Sequence, residues 1–234
     1  VEIMKKVLIG LFLLASLSVL GAKNTKKTAS TQNYTKNVNN QYSVVDGNLM
    51  NMYSKEKNEF KNKYIALTEK IDKKNLIALL KEYVKKYPND AYAYEEIGTD
   101  YAILGNQKEA ENYYLKAIEL GDNDTGVYSL VLLYSDEDSL KLLNLTAKEK
   151  KEKMNIADKY EKQLSGAGFT HDKLKQLREH KQMALVGNAY STYRLAVQYY
   201  GAKNYKMAEK YAKDFLEFDN ENPEILNMLK NVSK

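Results

Sequence analysis

Residues 91–124 read AYAYEEIGTDYAILGNQKEAENYYLKAIELGDND, and the pattern predicts two helices joined by a turn. The first carries Tyr94, Ile97, Gly98, Tyr101 and Leu104, and the second carries Ala110, Tyr113, Tyr114, Ala117 and Leu120. Spacings of three and four place each set on one helical face. Gly105 and Asn106 supply the turn between them. Gly98 and Ala110 are small where the two helices would meet, so the backbones can approach and the bulky neighbours fill the gap beside them.

Counted from Ala91, an aromatic stands at position four, Ile at seven, Gly at eight and Tyr at eleven. Ala follows at twenty, an aromatic at twenty-four and Ala at twenty-seven. This resembles the tetratricopeptide repeat (TPR), whose period is about 34 residues. The ending AIELGD, followed by YSLVLLY, is similar to the related Sel1-like repeat. One period earlier, residues 57–90 hold Phe60, Tyr64, Leu67, Leu76, Leu80 and Tyr83, with Pro88 near the end of the period. Residues 125–145 open as a degenerate copy with Tyr128, Val131 and Leu132. The pattern returns over 189–222 with Leu195, Tyr199, Ala208, Ala212 and Phe215, and Ala196 replaces the expected Gly.

The resemblance implies an all-α fold, a right-handed α-solenoid of TPR/Sel1-like helix pairs with an irregular helical insertion. One pair cannot bury its apolar face alone, so the pairs must stack. Residues 146–188 form the irregular part. Thr146 and Glu149 have capping-box spacing and open a highly charged helix that the Ser-Gly-Ala-Gly run at 165–168 breaks. A further helix runs from about 171 to 185. This part is either an elaborated repeat or an inserted hairpin. Pro223 starts a last helix, 223–232, whose Ile225, Leu226 and Leu229 are expected to cap the open end.

The N-terminus reads as an address. Lys5 and Lys6 precede an uncharged run at 7–20, then Gly21 and Ala22. A basic start, an apolar stretch and small residues describe a signal peptide over 1–22, cleaved after 21 or 22, with translation starting at Val1 or Met4. As a helix the run spans roughly 21 Å, short against a bilayer core of about 30 Å. Residues 23–48, rich in Lys, Asn, Thr and Ser, lack apolar periodicity and read as a flexible polar tether. Residues 49–234 make up the repeat domain. The expected location is periplasmic or secreted. With no cysteine in the chain, a lipoprotein anchor, disulfides and thiolate chemistry are excluded.

The net charge is +5, but Lys and Glu alternate along the helices, which is the pattern of a solvated face. Only Arg178 and Arg194 are arginines, so nucleic acid is not an expected partner. His171 and His180 lie nine residues apart and point to opposite sides of one helix, so they cannot share a metal. The carboxylates Glu95, Glu96, Asp100, Glu109, Glu111, Asp122 and Asp124 are expected mostly in surface pairs with Lys. The GDND run at 121–124 reads as a helix end and turn, lacking the Gly and distal Glu of a calcium loop. No cofactor and no catalysis are expected.

In the family it resembles, positions two, five, nine and twelve of each first helix face a ligand groove. In 91–124 these are Tyr92, Glu95, Thr99 and Ala102; in 189–222 they are Tyr190, Tyr193, Val197 and Tyr200; in 57–90 they include Lys61, Ile65 and Thr68. Tyr gives contact area and a hydroxyl at low entropy cost. The carboxylate clamp of chaperone-binding members is broken, because Ile65 and Glu96 replace its Asn positions beside Lys61. The expected function is that of an exported scaffold binding a protein or peptide in the cell envelope through the concave face. It would meet the membrane only through its transient signal peptide. The alternatives are an envelope glycan-binding protein or enzyme using 135–188, or self-association through the charged helices at 147–185.

Overall fold

The computed structural model describes Ser54 and residues 57–232; the expected signal segment and tether lie outside these. Among the described residues the fold is all-helical. Helices α1 (Asn58–Glu69) and α2 (Lys73–Lys86) form a first hairpin, and α3 (Ala91–Ile103) and α4 (Gln107–Glu119) a second. Helices α5 (Thr125–Ser135), α6 (Glu137–Leu142), α7 (Ala147–Gly166) and α8 (His171–Leu185) follow. A hairpin of α9 (Ala189–Gly201) and α10 (Tyr205–Phe215) carries α11 (Pro223–Val232) on α10. No helix among the described residues is long and apolar enough to cross a membrane.

Local chemistry sets the boundaries. Asp72, Asn106, Asp136, Thr170, Asn188 and Asn204 each accept a hydrogen bond from a backbone N–H in the first turn that follows, satisfying groups a helix start leaves unpaired. Thr146 and Glu149 form the full reciprocal box. Gly105, at φ +80°, ends α3 where a side chain would be strained.

The α3–α4 hairpin is as close as its small residues suggest. A Cβ on Gly98 would lie 2.7 Å from ring carbons of Tyr114 and 3.1 Å from the Ala110 carbonyl oxygen. Tyr114 is buried, so its ring has little room to yield. Gly98→Ala is therefore expected to destabilise the fold by about 1–3 kcal/mol through overpacking. Urea unfolding followed by circular dichroism measures this, and an unchanged midpoint would mean that the ring swings aside freely.

Three apolar clusters make up the core. One joins Tyr64, Leu76, Leu80 and Ile97 of the first two hairpins. A second joins Tyr114, Leu130, Val131, Ala157 and Leu164. The third joins Leu195, Tyr199, Met207, Tyr211, Phe215 and Ile225. Helix α8 enters all three, with Leu185 in the first, Leu174 in the second, and Leu177 and Ala184 in the third. Helix α7 packs along α5, whereas α8 lies against α9, α3 and α5.

The last hairpin also returns to the earlier ones. The Asn204 amide donates to the Gly121 carbonyl at 3.2 Å, and Lys210 pairs with Asp90 at 3.2 Å. Ser54 donates to Glu217 at 2.9 Å. Residues distant in sequence thus bring the 189–222 hairpin back against 91–124.

Candidate binding surface

The groove expected over 91–124 is filled by the chain itself. Tyr92 (1%), Glu95 (0%) and Thr99 (3%) have almost no exposed surface. Arg178 of α8 meets Glu95, Tyr92 lies beside Arg178 and Gln182, and Thr99 accepts from the Tyr114 hydroxyl of α4 at 3.4 Å, which corrects the expectation that they line an open site. Arg178 donates from one nitrogen to both the Glu95 carboxylate and the Ser129 hydroxyl. Ser129 also donates to Glu95 at 2.7 Å. The amide of Gln182 donates to the Tyr64 hydroxyl at 3.0 Å.

Lys181, wholly buried, donates to Asp122 at 2.8 Å, Asp124 at 2.5 Å and the Thr125 hydroxyl at 2.7 Å. The Thr125 hydroxyl in turn donates to Glu95 at 3.0 Å. Asp122 also accepts from the Gly126 N–H at 2.9 Å. Burial pushes the Asp124 carboxyl up to about 7, with neighbouring Asp122 adding to the rise against the pull of Lys181. Burial acts on Asp122 too, but Lys181 and its hydrogen bonds hold it below the usual carboxylate range.

The expectation of solvated carboxylates therefore fails for Glu95, Glu96, Asp100, Asp122 and Asp124, all buried. Such groups are retained only when bonded and paired, and here the partners lie 49 to 83 residues away for Arg178 and 56 to 59 for Lys181. Arg178, Lys181 and Gln182 were not legible as functional positions. One signal was present: in a chain that uses Lys almost everywhere, Arg178 is one of two arginines. The planar guanidinium fork suits a buried carboxylate better than a Lys ammonium does.

The corresponding positions of the last hairpin remain accessible. Tyr190, Tyr193, Val197 and Tyr200 are half-buried along one side of α9, and Arg194 beside them is exposed. The Arg194 guanidinium lies 5.9 Å from the Tyr190 ring centre, and Tyr190 sits 6.2 Å from His180. The Tyr193 hydroxyl donates to Glu224 at 2.7 Å, while its ring packs 5.4 Å from Phe215. Tyr200 meets the exposed Tyr205 at 5.9 Å. Lys61 is half-buried on α1, where burial lowers its ammonium pKa.

The two histidines lie on different sides of α8, His171 bonded to the Tyr128 hydroxyl and His180 beside Tyr190. In the 135–188 region, Lys153 meets Glu111 and the Tyr134 hydroxyl. Among the described residues no group of three or more His, Asp or Glu is arranged to hold a metal ion. No protein-family model matches this chain, and neither the curated proteins nor the solved structures contain a significant match.

Proposed function

We propose that this protein is an exported scaffold of the cell envelope, a right-handed solenoid of TPR/Sel1-like helix pairs that binds a protein or peptide partner without catalysis. The working surface is the outer side of α9, with Tyr190, Arg194, Val197 and Tyr200, and not the groove over α3. One observation supports this reading: Tyr92, Glu95 and Thr99 on α3 are buried, whereas the four ligand-facing positions on α9 are half-buried and Arg194 beside them is exposed. Tyr and Arg are the residues that dominate binding hot spots. Arg194 has no carboxylate within ion-pair distance among the described residues, so its charge is available to a partner.

The test is a crosslinking pulldown from the envelope, using the exported chain and a variant with Tyr190→Ala, Arg194→Ala and Tyr200→Ala. The variant spares Tyr193, whose hydroxyl is engaged with Glu224, and should melt within about 2 °C of the parent. Capture of one partner by the parent and its loss, by about tenfold or more, with the variant is the expected result. Equal capture by both removes α9 as the surface. Capture of wall glycan instead of protein supports the glycan-binding alternative.

A further inference from the structure

A cleft remains open between α3, α5 and α8, apart from the side of α9. Tyr92 and Glu96 from α3, Tyr128 and Leu132 from α5, and Arg178 and Gln182 from α8 line it. Its interior is about 40 Å³, enough for a few waters or the head of a small side chain and too little for a metabolite.

The hydrogen bonds within it are one-sided. The buried Tyr64 hydroxyl donates to Glu96 Oε1 at 2.7 Å and accepts from the Gln182 amide. The Tyr92 hydroxyl donates to Glu96 Oε2 at 3.0 Å. Both phenol protons are thereby spent on one carboxylate. The Glu96 carboxylate and the Tyr92 oxygen keep further acceptor lone pairs, and Gln182, whose amide nitrogen is bonded to Tyr64, has a carbonyl acceptor as well. Glu96 is 2% exposed, and no cation among the described residues lies within ion-pair distance of it.

The charges nearby do not supply the missing cation. Arg178 is engaged by Glu95 and Ser129. Lys175 and Glu179 also line the cleft, Lys175 forming no ion pair with Glu96, and His171 is bonded to Tyr128. Glu96 is the deeply buried carboxylate of the cleft.

We infer that this cleft is a receptor for a primary ammonium group, with Glu96 as its counter-ion and the Tyr92 and Gln182 oxygens as additional acceptors. An ammonium offers three donors and no acceptor, the complement of this floor, and the aromatic lining suits a cation. The group can come from a lysine side chain of a peptide or from a free alkylamine.

The experiment is an NMR titration of the isotope-labelled exported chain with n-butylammonium chloride at constant ionic strength. Matched titrations use Nα-acetyl-lysine amide, n-butanol and sodium acetate. Expected are saturable shifts of the amides around Tyr92, Glu96 and Gln182 with either ammonium probe, in the millimolar range. The probe that binds more tightly identifies the source. Butanol should bind at least about tenfold more weakly, and acetate should not shift these signals. Glu96→Gln should weaken ammonium binding by about tenfold or more. Leu132→Trp, at an exposed position on the cleft wall, should block binding by bulk and carries the test if Glu96→Gln does not fold. The inference is overturned by unsaturable shifts, by butanol matching butylammonium, by acetate binding instead, or by full affinity in a folded Glu96→Gln protein.

Discussion

Lys181→Met should cost the fold about 3–5 kcal/mol, the usual penalty for removing one partner of a buried ion pair. The substitution nearly preserves volume, so packing contributes little of the loss. The cost arises because Asp122 and Asp124, both buried, are left with no cation beside them. Lys181 also sits on α8, which enters all three apolar clusters, so loosening it affects all three rather than one edge. The chain has no Trp, so urea unfolding is best followed by far-UV circular dichroism. Adding Asp122→Asn and Asp124→Asn to Lys181→Met should recover much of the loss, since no buried charge then remains unpaired. A Lys181→Met midpoint equal to that of the parent would mean that water reaches the two carboxylates.

The second large effect is a fall in stability as pH rises from about 5 to about 8. Asp100 and Asp124 are each pushed up to about 7. Burial is the main cause in both. Lys73 partly offsets it at Asp100 while Glu96 adds to it; at Asp124 Lys181 partly offsets it while Asp122 adds to it. In the unfolded chain both carboxyls titrate near 3.9. Between that value and 7 the folded chain holds protons that the unfolded chain has released, so stability present below about pH 4 is lost as pH rises through 7.

Asp90 and Asp122 act in the opposite sense. Burial works against their ionisation, but Lys210 and Lys57 at Asp90, and Lys181 at Asp122, hold both below the usual value. Their contribution is present above the unfolded pKa and is lost only on further acidification. The optimum is thus expected near pH 4–5. The expected loss from pH 5 to pH 8 is about 5 kcal/mol, or roughly 10–20 °C in melting temperature for a chain of this size. Asp124→Asn should flatten the slope by about half. Equal melting temperatures at the two pH values in the parent would show that neither carboxyl is protonated in the folded state.

Most helices were legible in the sequence, although the short α6 (Glu137–Leu142) was not and α7 runs on to Gly166, into the glycine run expected to break it. Three- and four-residue spacings, the capping box at Thr146 and Glu149, and the turn at Gly105 and Asn106 act within a few residues of themselves, so no tertiary partner is needed to see them. The close hairpin at Gly98 was legible for the same reason, since both helices lie within one short window. The repeat pattern marks Tyr190, Tyr193, Val197 and Tyr200 of α9, and these are half-buried.

Which surfaces cover one another is settled by packing in three dimensions. The HDKLKQLREHKQMAL stretch reads as a surface helix, because Arg178, Lys181 and Gln182 interrupt its apolar positions. It becomes central because those three side chains meet Glu95, Asp122, Asp124 and Tyr64 across 57 to 118 residues of chain. A charge on a helix face has the same appearance in sequence whether water or an opposite charge faces it. The difference is set by pairing in three dimensions, where desolvation must be matched by specific partners, and no local spacing encodes which distant carboxylate that will be.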